Sequence, residues 1–478
     1  GFIIVGLEDL NNTTLPEPTF NYFQTKTNAL YGSIEFDYDK FFYLTFTGRN
    51  DWFSTLSFPD KKTPNNDFYW SVSGSLLLSE ALNLPKAFNY IKLRASYAQV
   101  AGGANDAYAL NLDYAITGSF QGQSFGQLNG NTIPNPDLIP FQKSEYEFGL
   151  EGRFFNNRLN LDVAYYQNKT TNDIVRAAAS QASGFTSAIL NIGELENKGV
   201  ELLIGGTPIK TEDFSWDTSF NLGYNDSKIL HTDEKDTPIN VDNSQTRSRT
   251  AIISHIVGEH YGVIYGSSYK RDENGIIIYD ISGSIPRPIQ GENKILGQGV
   301  APYTLGFSNT FTYKNVSLGF LMDAKFGGSV HSGTNRELTL RGLHKKTLEG
   351  RETGLVVSGI DDATGQPFTT TVAPENLRTY YGRIGEESAG ISEEFVYSTD
   401  FIKFRELSLS YTLPKNILKN VFINELRLSL IGRNLFFIYK EIDNVDPEAA
   451  LNNLNSQGIE RFGIPSTKSY GFSVNIKF

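Results

Sequence analysis

The chain has 478 residues, a net charge of −11 and no cysteine. These values exclude a disulfide framework and thiol chemistry, and no basic run is available to neutralise phosphates, so nucleic acid is not an expected partner. No stretch approaches the roughly eighteen apolar residues of a transmembrane helix, which excludes a helical membrane protein. Aromatic residues are abundant, with 34 Phe, 25 Tyr and 3 Trp.

Apolar and polar residues alternate with a period of two along much of the chain, which predicts β-strands with one apolar and one polar face. In the first such segment Ile34 and Phe36 oppose Glu35 and Asp37. Each segment is about ten residues long, the length of a strand that crosses a membrane in a tilted barrel. We predict thirteen crossings, near residues 27–38, 41–51, 67–79, 89–100, 143–155, 157–168, 197–209, 213–225, 303–313, 316–326, 401–413, 421–434 and 467–478.

The connections between these strands are alternately short and long. Short turns are predicted at 39–40, 156–157, 208–214, 314–315 and 414–420, and long segments at 52–66, 101–142, 170–196, 226–302, 327–400 and 437–466. Short periplasmic turns and long extracellular loops are typical of outer-membrane barrels. The Gly, Asn, Asp, Ser and Pro content of the loops favours turns rather than a folded insert.

The last predicted strand ends the chain on an aromatic residue. Tyr470, Phe472, Val474, Ile476 and Phe478 alternate with small and polar residues, as in the closing strand of an outer-membrane barrel. The predicted fold is therefore all-β, a transmembrane antiparallel β-barrel. Because single-chain bacterial barrels normally have an even strand number, thirteen crossings predict an odd number of further strands upstream. The chain also begins without Met or a signal peptide, so we expect that residue 1 is not the start of the gene product.

Several segments resemble the SusC/RagA class of TonB-dependent outer-membrane transporters of Bacteroidetes. They follow the order of that family and cover most of the chain, and the most specific are Glu-Asn-Lys-Gly-Val-Glu and Gly-Arg-Asn-Leu-Phe. The segments are residues 30–38, 91–97, 196–202, 307–315, 401–409, 432–436, 446–448 and the closing strand.

This resemblance implies a 22-stranded barrel, an N-terminal plug with a TonB-contacting box, and a SusD-like surface lipoprotein that covers the barrel. Thirteen strands would leave nine upstream, so residues 1–478 are expected to be the C-terminal part of the barrel, without the plug. The expected location is the bacterial outer membrane, in contact with lipid. Many relatives carry a calcium-like loop near residues 270–280, but Arg271 to Ile276 retain only a turn signal, which favours a hairpin turn. No metal or other cofactor is expected.

The tryptophans have two possible interpretations, stacking on a carbohydrate or anchoring at the membrane interfaces. Their positions in the alternation favour aromatic girdles on the lipid-facing side. We predict that this side includes Trp52, Trp70, Trp216, Phe220 and Phe478. Three loop tyrosines are better candidates for substrate binding, namely Tyr108, Tyr261 and Tyr265.

Charged residues recur on the opposite, lumen-facing side. Glu147 and Glu151 could suggest the paired carboxylates of a glycosidase, but in a barrel they form one stripe of the lumen wall. The residues predicted to face the lumen are Glu35, Asp37, Arg49, Arg94, Glu147, Glu151, Arg153, Asp217 and Asn221.

No catalytic motif accompanies these residues. His255, Glu259 and His260 are close in sequence but lack the His-Glu-x-x-His order of a zinc site, so a solvated loop is favoured. No nucleophile elbow, phosphate loop or dinucleotide fingerprint is present, and we predict that the protein is not an enzyme.

The expected function is TonB-dependent import of a nutrient, an oligosaccharide or a peptide, together with a SusD-like lipoprotein. Two alternatives stay open: a passive porin-like barrel, and a barrel associated with secretion or adhesion that uses its long loops to hold partners.

Overall fold

The computed structural model describes residues 22–59, 62–108, 110–112, 114–120, 123–128, 130–179, 181–233, 235–242, 251–386, 390–419, 422–449 and 457–478. Thirteen strands form one antiparallel sheet in which each strand pairs with its neighbours in sequence. The first and last have a single neighbour each along this path, so these strands form an open arc. They are β1 Thr27–Tyr38, β2 Phe42–Phe53, β3 Asn66–Leu77, β4 Phe88–Gly102, β5 Phe141–Phe154, β6 Leu159–Ala178, β7 Ser187–Lys210, β8 Phe214–His231, β9 Tyr303–Tyr313, β10 Val316–Phe326, β11 Phe401–Thr412, β12 Glu425–Lys440 and β13 Ser469–Lys477.

All thirteen predicted crossings are present, which confirms the all-β fold and the antiparallel order. At one end of the sheet, the short end, the connections are tight. Asp39 and Lys40 have φ values of 49° and 60°, the paired left-handed conformation of a type I′ turn, whose twist matches that of the flanking strands. Asn156, Asn157 and Lys314 are also left-handed in the turns after β5 and β9. Two short helices lie in the remaining short-end connections, α1 Leu78–Ala81 and α4 Lys415–Leu418.

Strands β6, β7 and β8 extend further than predicted toward the other end, the long end. Residues 170–178 and 187–196 belong to β6 and β7 rather than to a loop, and β8 continues to His231. The alternation fades in these extensions because polar residues lie on both faces there. A pattern based on one apolar face therefore cannot mark where such strands end.

The long connections fold into additional sheets and helices, so the prediction of simple turns was wrong. A small strand, Thr132–Ile133, pairs parallel with β7, and the other strands form separate sheets. The additional strands are Tyr114–Phe120, Gln123–Leu128, Ile239–Asp242, Ala251–His255, Val263–Tyr269, Ile278–Asp280, Arg287–Pro288, Gln290–Gln298, Ser329–Ser332, Leu355–Asp361, Pro367–Val372, Val396–Ser398 and Ile459–Glu460. The helices are α2 Gly333–Leu340 and α3 Leu377–Ile384, with 3₁₀ turns at Ser54–Leu56, Gln181–Ser183, Lys345–Leu348, Pro374–Asn376 and Ser392–Phe395.

These long-end elements have hydrophobic cores of their own. We define the outer lobe as the described residues of 251–298 and 329–398. Its main core packs helix α3 against the strands at 278–280, 355–361 and 367–372. The largest buried members are Phe395, Tyr380, Tyr381, Leu377 and Tyr279. Burial of this many apolar side chains, each worth about 1.5–3 kcal/mol, explains why the lobe is folded.

The segment 270–280 forms the predicted tight turn. Arg271 and Ile277 make an antiparallel bridge, and Gly275 has a left-handed φ of 82°. The Asp272 carboxylate accepts from the backbone N–H groups of Ile276, at 2.7 Å, and Asn274, at 3.0 Å. Among the described residues, none of the helices has the length and apolar character needed to cross a membrane.

Candidate functional site

The predicted lumen-facing and lipid-facing residues lie on opposite faces of the thirteen-stranded sheet. We call these the polar face and the apolar face. One continuous row of cross-strand partners on the apolar face consists of Phe220, Phe307, Met322, Phe404 and Phe436. The rings of Phe404 and Phe436 stack with centroids 5.3 Å apart. Such a row is the packing expected of a surface that faces hydrocarbon, and it makes the lipid assignment a sharply testable prediction.

Aromatic residues mark both edges of the apolar face. Near the short end, Trp216 stacks on Phe311 at 5.9 Å, and its indole N–H donates to Asn309 Oδ1 at 2.9 Å. Tyr224 and Tyr303 contact each other at 4.8 Å nearer the long end. Eight strand positions separate Trp216 from Tyr224, which is about 20 Å across a membrane at barrel tilt. This height fits an apolar band of roughly 25 Å.

The other predicted girdle residues follow the same arrangement. Trp70 packs on Tyr97 at 5.1 Å, toward the long end of β3 and β4. Trp52 lies on the apolar face of β2, and Phe478 stacks on Phe422 at 5.6 Å at the short end. A 650 Å³ depression on this face is lined mainly by apolar residues such as Leu76, Leu93 and Phe148; it therefore suits acyl chains better than a polar substrate.

On the polar face, Arg94 holds an ion-pair cluster that spans three strands. Its Nε donates to Glu147 Oε1 at 3.0 Å and its Nη2 to Asp162 Oδ1 at 2.9 Å. The guanidinium lies over Gly149, where any Cβ would collide with it. Glu147 and Asp162 therefore neutralise the Arg94 cation on the polar face.

The remaining residues predicted to face the lumen share this face without joining the cluster. Arg49 pairs with Asp51 at 2.7 Å and Arg153 with Glu151 at 3.2 Å. The others lie apart along the same face, at Glu35, Asp37, Asp217 and Asn221.

A chain of hydrogen bonds crosses the polar face near this cluster, and we call it the amide ladder. Tyr166 Oη donates to Asn225 Oδ1 at 2.9 Å, and Asn225 Nδ2 donates to Ser227 Oγ at 2.7 Å. Ser227 Oγ in turn donates to Asn197 Oδ1 at 2.5 Å. The ladder ends with Asn197 Nδ2 donating to Asn168 Oδ1 at 2.9 Å and Asn168 Nδ2 donating to Glu145 Oε2 at 3.2 Å.

The amide ladder borders a cavity of 420 Å³, the lumen cavity. Its wall also includes Arg94, Glu147, Glu201, Lys143 and Ala164. These asparagines were not among the residues predicted from the sequence. The alternation of polar and apolar residues could have indicated them, since Asn168, Asn197 and Asn225 all fall on the polar side of their strands.

A second charged cluster joins the long connection after β12 to the wall. Lys403 is only 1% exposed, and its Nζ donates to Glu448 Oε2 at 2.6 Å and to Ser466 Oγ at 2.7 Å. Arg405 binds Glu448 Oε1 at 2.7 Å and also pairs with Asp323 on β10. We call residues 441–449 the strap, because they connect this cluster to the outer lobe.

The lobe end of the strap is held by apolar and polar contacts. Ile442 and Val445 are buried against Val330 in a small hydrophobic core. Asn335 Nδ2 donates to the backbone carbonyl of Asp443 at 3.2 Å. The strap therefore links the barrel wall and the lobe through side chains at both of its ends.

Two of the strap carboxylates, Glu448 and Asp446, have lowered pKa values. Burial on its own would raise the pKa of Glu448, but hydrogen bonds and charge from Arg405 and Lys403 outweigh it and hold the pKa below the ordinary 4.5. Burial likewise opposes the shift at Asp446, where the Ser466 hydroxyl and nearby backbone N–H groups lower the pKa below 3.8. Both carboxylates are therefore stabilised in their charged form.

We expect acid to release the strap. A carboxyl whose pKa is depressed by folding adds stability that is complete above its unfolded pKa and is lost as the pH falls through its folded pKa. The stabilisation by Glu448 should thus be complete above about pH 4.5 and disappear below that value. Hydrogen exchange of residues 441–449, corrected for intrinsic rates, should accelerate in this range. A protection factor that stays constant down to about pH 3 would contradict the expectation.

Among the predicted substrate-binding tyrosines, Tyr108 lines an open cavity. This mouth cavity measures 470 Å³ at the long end and includes Phe23, Ile189, and the pair formed by Arg176 and Asp106 at 2.9 Å. Tyr108 has a left-handed φ of 63° and is 55% exposed. A non-glycine residue rarely adopts this conformation, and such residues cluster at ligand sites. An exposed aromatic ring beside an ion pair can contact both apolar and polar parts of a ligand.

Tyr261 and Tyr265 lie elsewhere. Tyr261 packs on His255 with ring centroids 4.4 Å apart, beside a cavity of only 30 Å³, which holds little more than one water. Tyr265 lies in a central strand of a small long-end sheet and is half-buried. The structure does not bring these two residues into the mouth cavity.

His255 is buried, so its interpretation as a solvated loop residue was wrong. Its side chain lies among the core strands at 251–255 and 263–269, and burial lowers its pKa to about 4. The ring is therefore neutral at physiological pH. His260 instead pairs with Asp226 at 3.1 Å and is exposed.

Comparison with known proteins assigns the family. The family described as "TonB dependent receptor-like, beta-barrel" matches residues 6–318, more than half of the chain. The chain belongs to the TonB-dependent receptor β-barrel family. Members of this family are outer-membrane receptors and transporters rather than enzymes, in agreement with the prediction from the sequence.

Two curated members of the TonB-dependent receptor family match this chain over most of its length. A TonB-dependent receptor of Formosa agariphila is 26% identical over 97% of this chain and 46% of its own length. The TonB-dependent receptor SusC of Bacteroides thetaiotaomicron is 25% identical over 63% of this chain and 31% of its own length. The chain thus spans about half the length, or less, of the curated relatives that it matches.

A solved structure shows the same barrel fold. The RagAB peptide transporter superposes with a TM-score of 0.74 at 19% identity, over 98% of this chain and 49% of that chain. The RagAB peptide importer in its closed-closed state gives the same TM-score at 20% identity. The thirteen-stranded arc therefore matches part of a TonB-dependent barrel, as the resemblance of the sequence to the SusC/RagA class implied.

Proposed function

We propose that the protein containing this chain imports a nutrient, an oligosaccharide or a peptide, across the bacterial outer membrane in a TonB-dependent reaction. One observation carries the proposal. The polar face of this barrel wall holds paired charges and amides, and a cavity large enough for a ligand lies next to it at the long end. In this proposal residues 1–478 supply the C-terminal part of the barrel, and the plug and TonB contact belong to the rest of the protein.

The route begins at the mouth cavity, where Tyr108, Arg176 and Asp106 can contact a ligand. A SusD-like lipoprotein would cover this end and retain the ligand. Energy from TonB would then displace the plug, because a plugged lumen does not let a large solute diffuse through. The polar face would line the path of the ligand. Its charged side chains pair with one another, so they do not need a tightly bound ligand as a counter-ion.

A second candidate is a barrel that holds partners at the cell surface, for secretion or adhesion. The size of the folded outer lobe favours it, since nine buried apolar residues form its main core alone. A passive porin is a further alternative. Both differ from import in one property: neither needs TonB.

The test measures uptake by the full-length protein together with its adjacent lipoprotein. Cells with intact TonB should accumulate a labelled oligosaccharide or peptide from a defined panel, and cells that lack TonB should lose at least 90% of the uptake, roughly a tenfold change. Uptake that is equal in both strains would exclude the proposal and support a passive pore. Surface binding without any uptake would support the adhesion alternative.

A further inference from the structure

We infer that the depression of 650 Å³ on the apolar face, between β2 and β6, is a binding site for one phospholipid of the periplasmic leaflet. We call this depression the acyl groove. The inference goes beyond the import proposal and is independent of it, because it concerns the outer surface of the barrel rather than the lumen. It depends on the shape of the groove, its height along the strands and the charges at its short end.

Two small residues form the floor of the acyl groove. Gly74 on β3 is the direct cross-strand partner of Ala95 on β4. The other members of the same row are large, with Leu44 on one side and Phe148 and Tyr165 on the other. The row thus falls from a leucine to a glycine and an alanine and then rises to two aromatic rings, which leaves a channel one side chain deep.

The channel has one closed end, toward the middle of the strands. In the next row toward the long end, Tyr97 and Tyr146 pack with ring centroids 4.7 Å apart. In the opposite direction the groove continues along Leu76 and Leu93 to Phe42, the first residue of β2. The acyl groove therefore runs from the middle of the wall to the short end.

The height of the groove matches one leaflet of the membrane. Leu93 is five positions from Phe88, where β4 begins at the short end. This separation is roughly 17 Å along the strand, or about 12 Å across the membrane at barrel tilt. The hydrocarbon of one leaflet is about 15 Å thick. Because short turns are typical of the periplasmic side, an acyl chain in the groove belongs to a lipid of the periplasmic leaflet.

The position of the groove in the barrel determines what can fill it. The plug would occupy the opposite, polar side, and further barrel strands could pair only with β1 and β13 at the edges of the arc. The walls of the groove are open, with Phe148 56% and Tyr165 41% exposed. Because this face meets hydrocarbon in the membrane, the available occupant is an acyl chain. Close van der Waals packing, rather than a hydrophobic driving force, favours its retention.

Charged residues next to the groove suit a phosphate headgroup. The three short-end turns that connect β1 to β2, β3 to β4 and β5 to β6 carry Lys40, Lys86 and Arg158, which are all exposed. None of these cations forms an ion pair in the part of the chain that the structure describes. The same turns contain two carboxylates, Asp39 and Glu80, so one positive charge is in excess. Basic groups beside a membrane-embedded site attract anionic lipids, so we expect phosphatidylglycerol to bind better than zwitterionic phosphatidylethanolamine.

The experiment uses the full-length protein, reconstituted in vesicles of equal parts phosphatidylglycerol and phosphatidylethanolamine with identical acyl chains. The protein is then extracted in a mild detergent, and native mass spectrometry measures the lipid that stays bound. The G74L variant fills the channel. Its side chain is sterically tolerated, because a Cβ at Gly74 would have its nearest neighbours at 3.9 Å. A second variant, A95L, fills the channel from the neighbouring strand.

The matched control is G32L, which adds the same side chain to the apolar face of β1, outside the groove. A Cβ at Gly32 would meet no atom within 4 Å. The K40Q and K86Q double variant tests the headgroup contact without changing the groove. The unfolding midpoint of each variant in the same vesicles checks that the barrel is intact.

We expect the wild type and G32L to retain one phospholipid per copy, with a preference for phosphatidylglycerol. G74L and A95L should lower the retained fraction roughly tenfold. The K40Q and K86Q double variant should keep bound lipid but reduce the preference for phosphatidylglycerol by roughly threefold.

Three outcomes would overturn the inference. The first is a wild type that retains no phospholipid, and the second is equal retention in the wild type, G74L and A95L when all are folded. The third is a wild-type dimer that G74L converts to a monomer without any bound lipid, because the groove would then be an interface between two copies of the chain. Each of these results leaves the import proposal untouched, since TonB-dependent uptake is measured separately.

Discussion

Replacing Phe220 by Arg is expected to destabilise the inserted barrel by about 2–4 kcal/mol, because the charge would lie near the middle of the hydrocarbon. Asn221, the next residue of β8, is expected to tolerate the same change, since its side chain lies over Gly306 on the polar face, where the solvent-filled lumen is predicted. The measurement is reversible urea unfolding of the full-length protein in lipid vesicles, followed by tryptophan fluorescence.

The pair of variants forms its own control, because the two positions differ by a single residue and receive the same side chain. Phe220 has aromatic and thioether partners along its row, at Phe307 and Met322. L222R should resemble F220R, and S219R should resemble N221R. Equal losses on both faces would refute the assignment of the apolar face to lipid.

Replacing Glu448 by Leu is expected to destabilise the strap by about 3–5 kcal/mol. The change leaves Lys403, which is 1% exposed, with the Ser466 hydroxyl at 2.7 Å and the more distant Asp446 carboxylate at 3.9 Å, and it also removes a partner of Arg405. A buried charge that loses its nearest counter-ion is costly because it cannot reach water instead. Hydrogen exchange of residues 441–449 reports the loss.

The E441Q variant provides the matched control for this prediction. Glu441 also lies in the strap, but among the described residues its carboxylate accepts only from the exposed Tyr439 hydroxyl, so its loss should cost less than about 1 kcal/mol. If E448L retained full protection, the buried contacts of Ile442 and Val445 would be sufficient to hold the strap, and the ion pairs would be dispensable.

The sheet could be predicted from the sequence because each strand shows the alternation of apolar and polar residues by itself. Phe220 and Asn221 are assigned to opposite faces simply because neighbouring residues of a strand point in opposite directions, and the same rule applies in each of the thirteen strands. The alternation did not reveal the extensions of β6 to β8. In β7, for example, Glu196 lies in the extension on the side that is apolar further down the strand, and it pairs with Lys198. Once both faces are polar, the alternation carries no information.

The clusters could not be predicted in the same way because they depend on distant segments. Lys403 and Glu448 are 45 positions apart, and no local pattern indicates that they meet. The outer lobe was missed for a related reason. One of its strands, Ile278–Asp280, has only three residues, and another, Val263–Tyr269, is buried or half-buried along its whole length, so neither shows the alternation of a half-buried strand. Tyr108 was predicted only as a loop aromatic, because its cavity is formed by segments that are distant in sequence, such as those of Phe23 and Arg176.

The simple order of the thirteen strands has a consequence for how the wall is assembled and how it can change. Since every strand bonds to the strand that precedes it in the chain, most of the pairing is local in sequence, and each hairpin can form before the next one arrives. Tight turns such as the one at Asp39 and Lys40 fix the register of each hairpin without help from distant parts of the wall. We therefore expect such a wall to grow by one hairpin, two strands, at a time during insertion. The same unit could be added or removed during evolution to lengthen or shorten the circumference of the barrel.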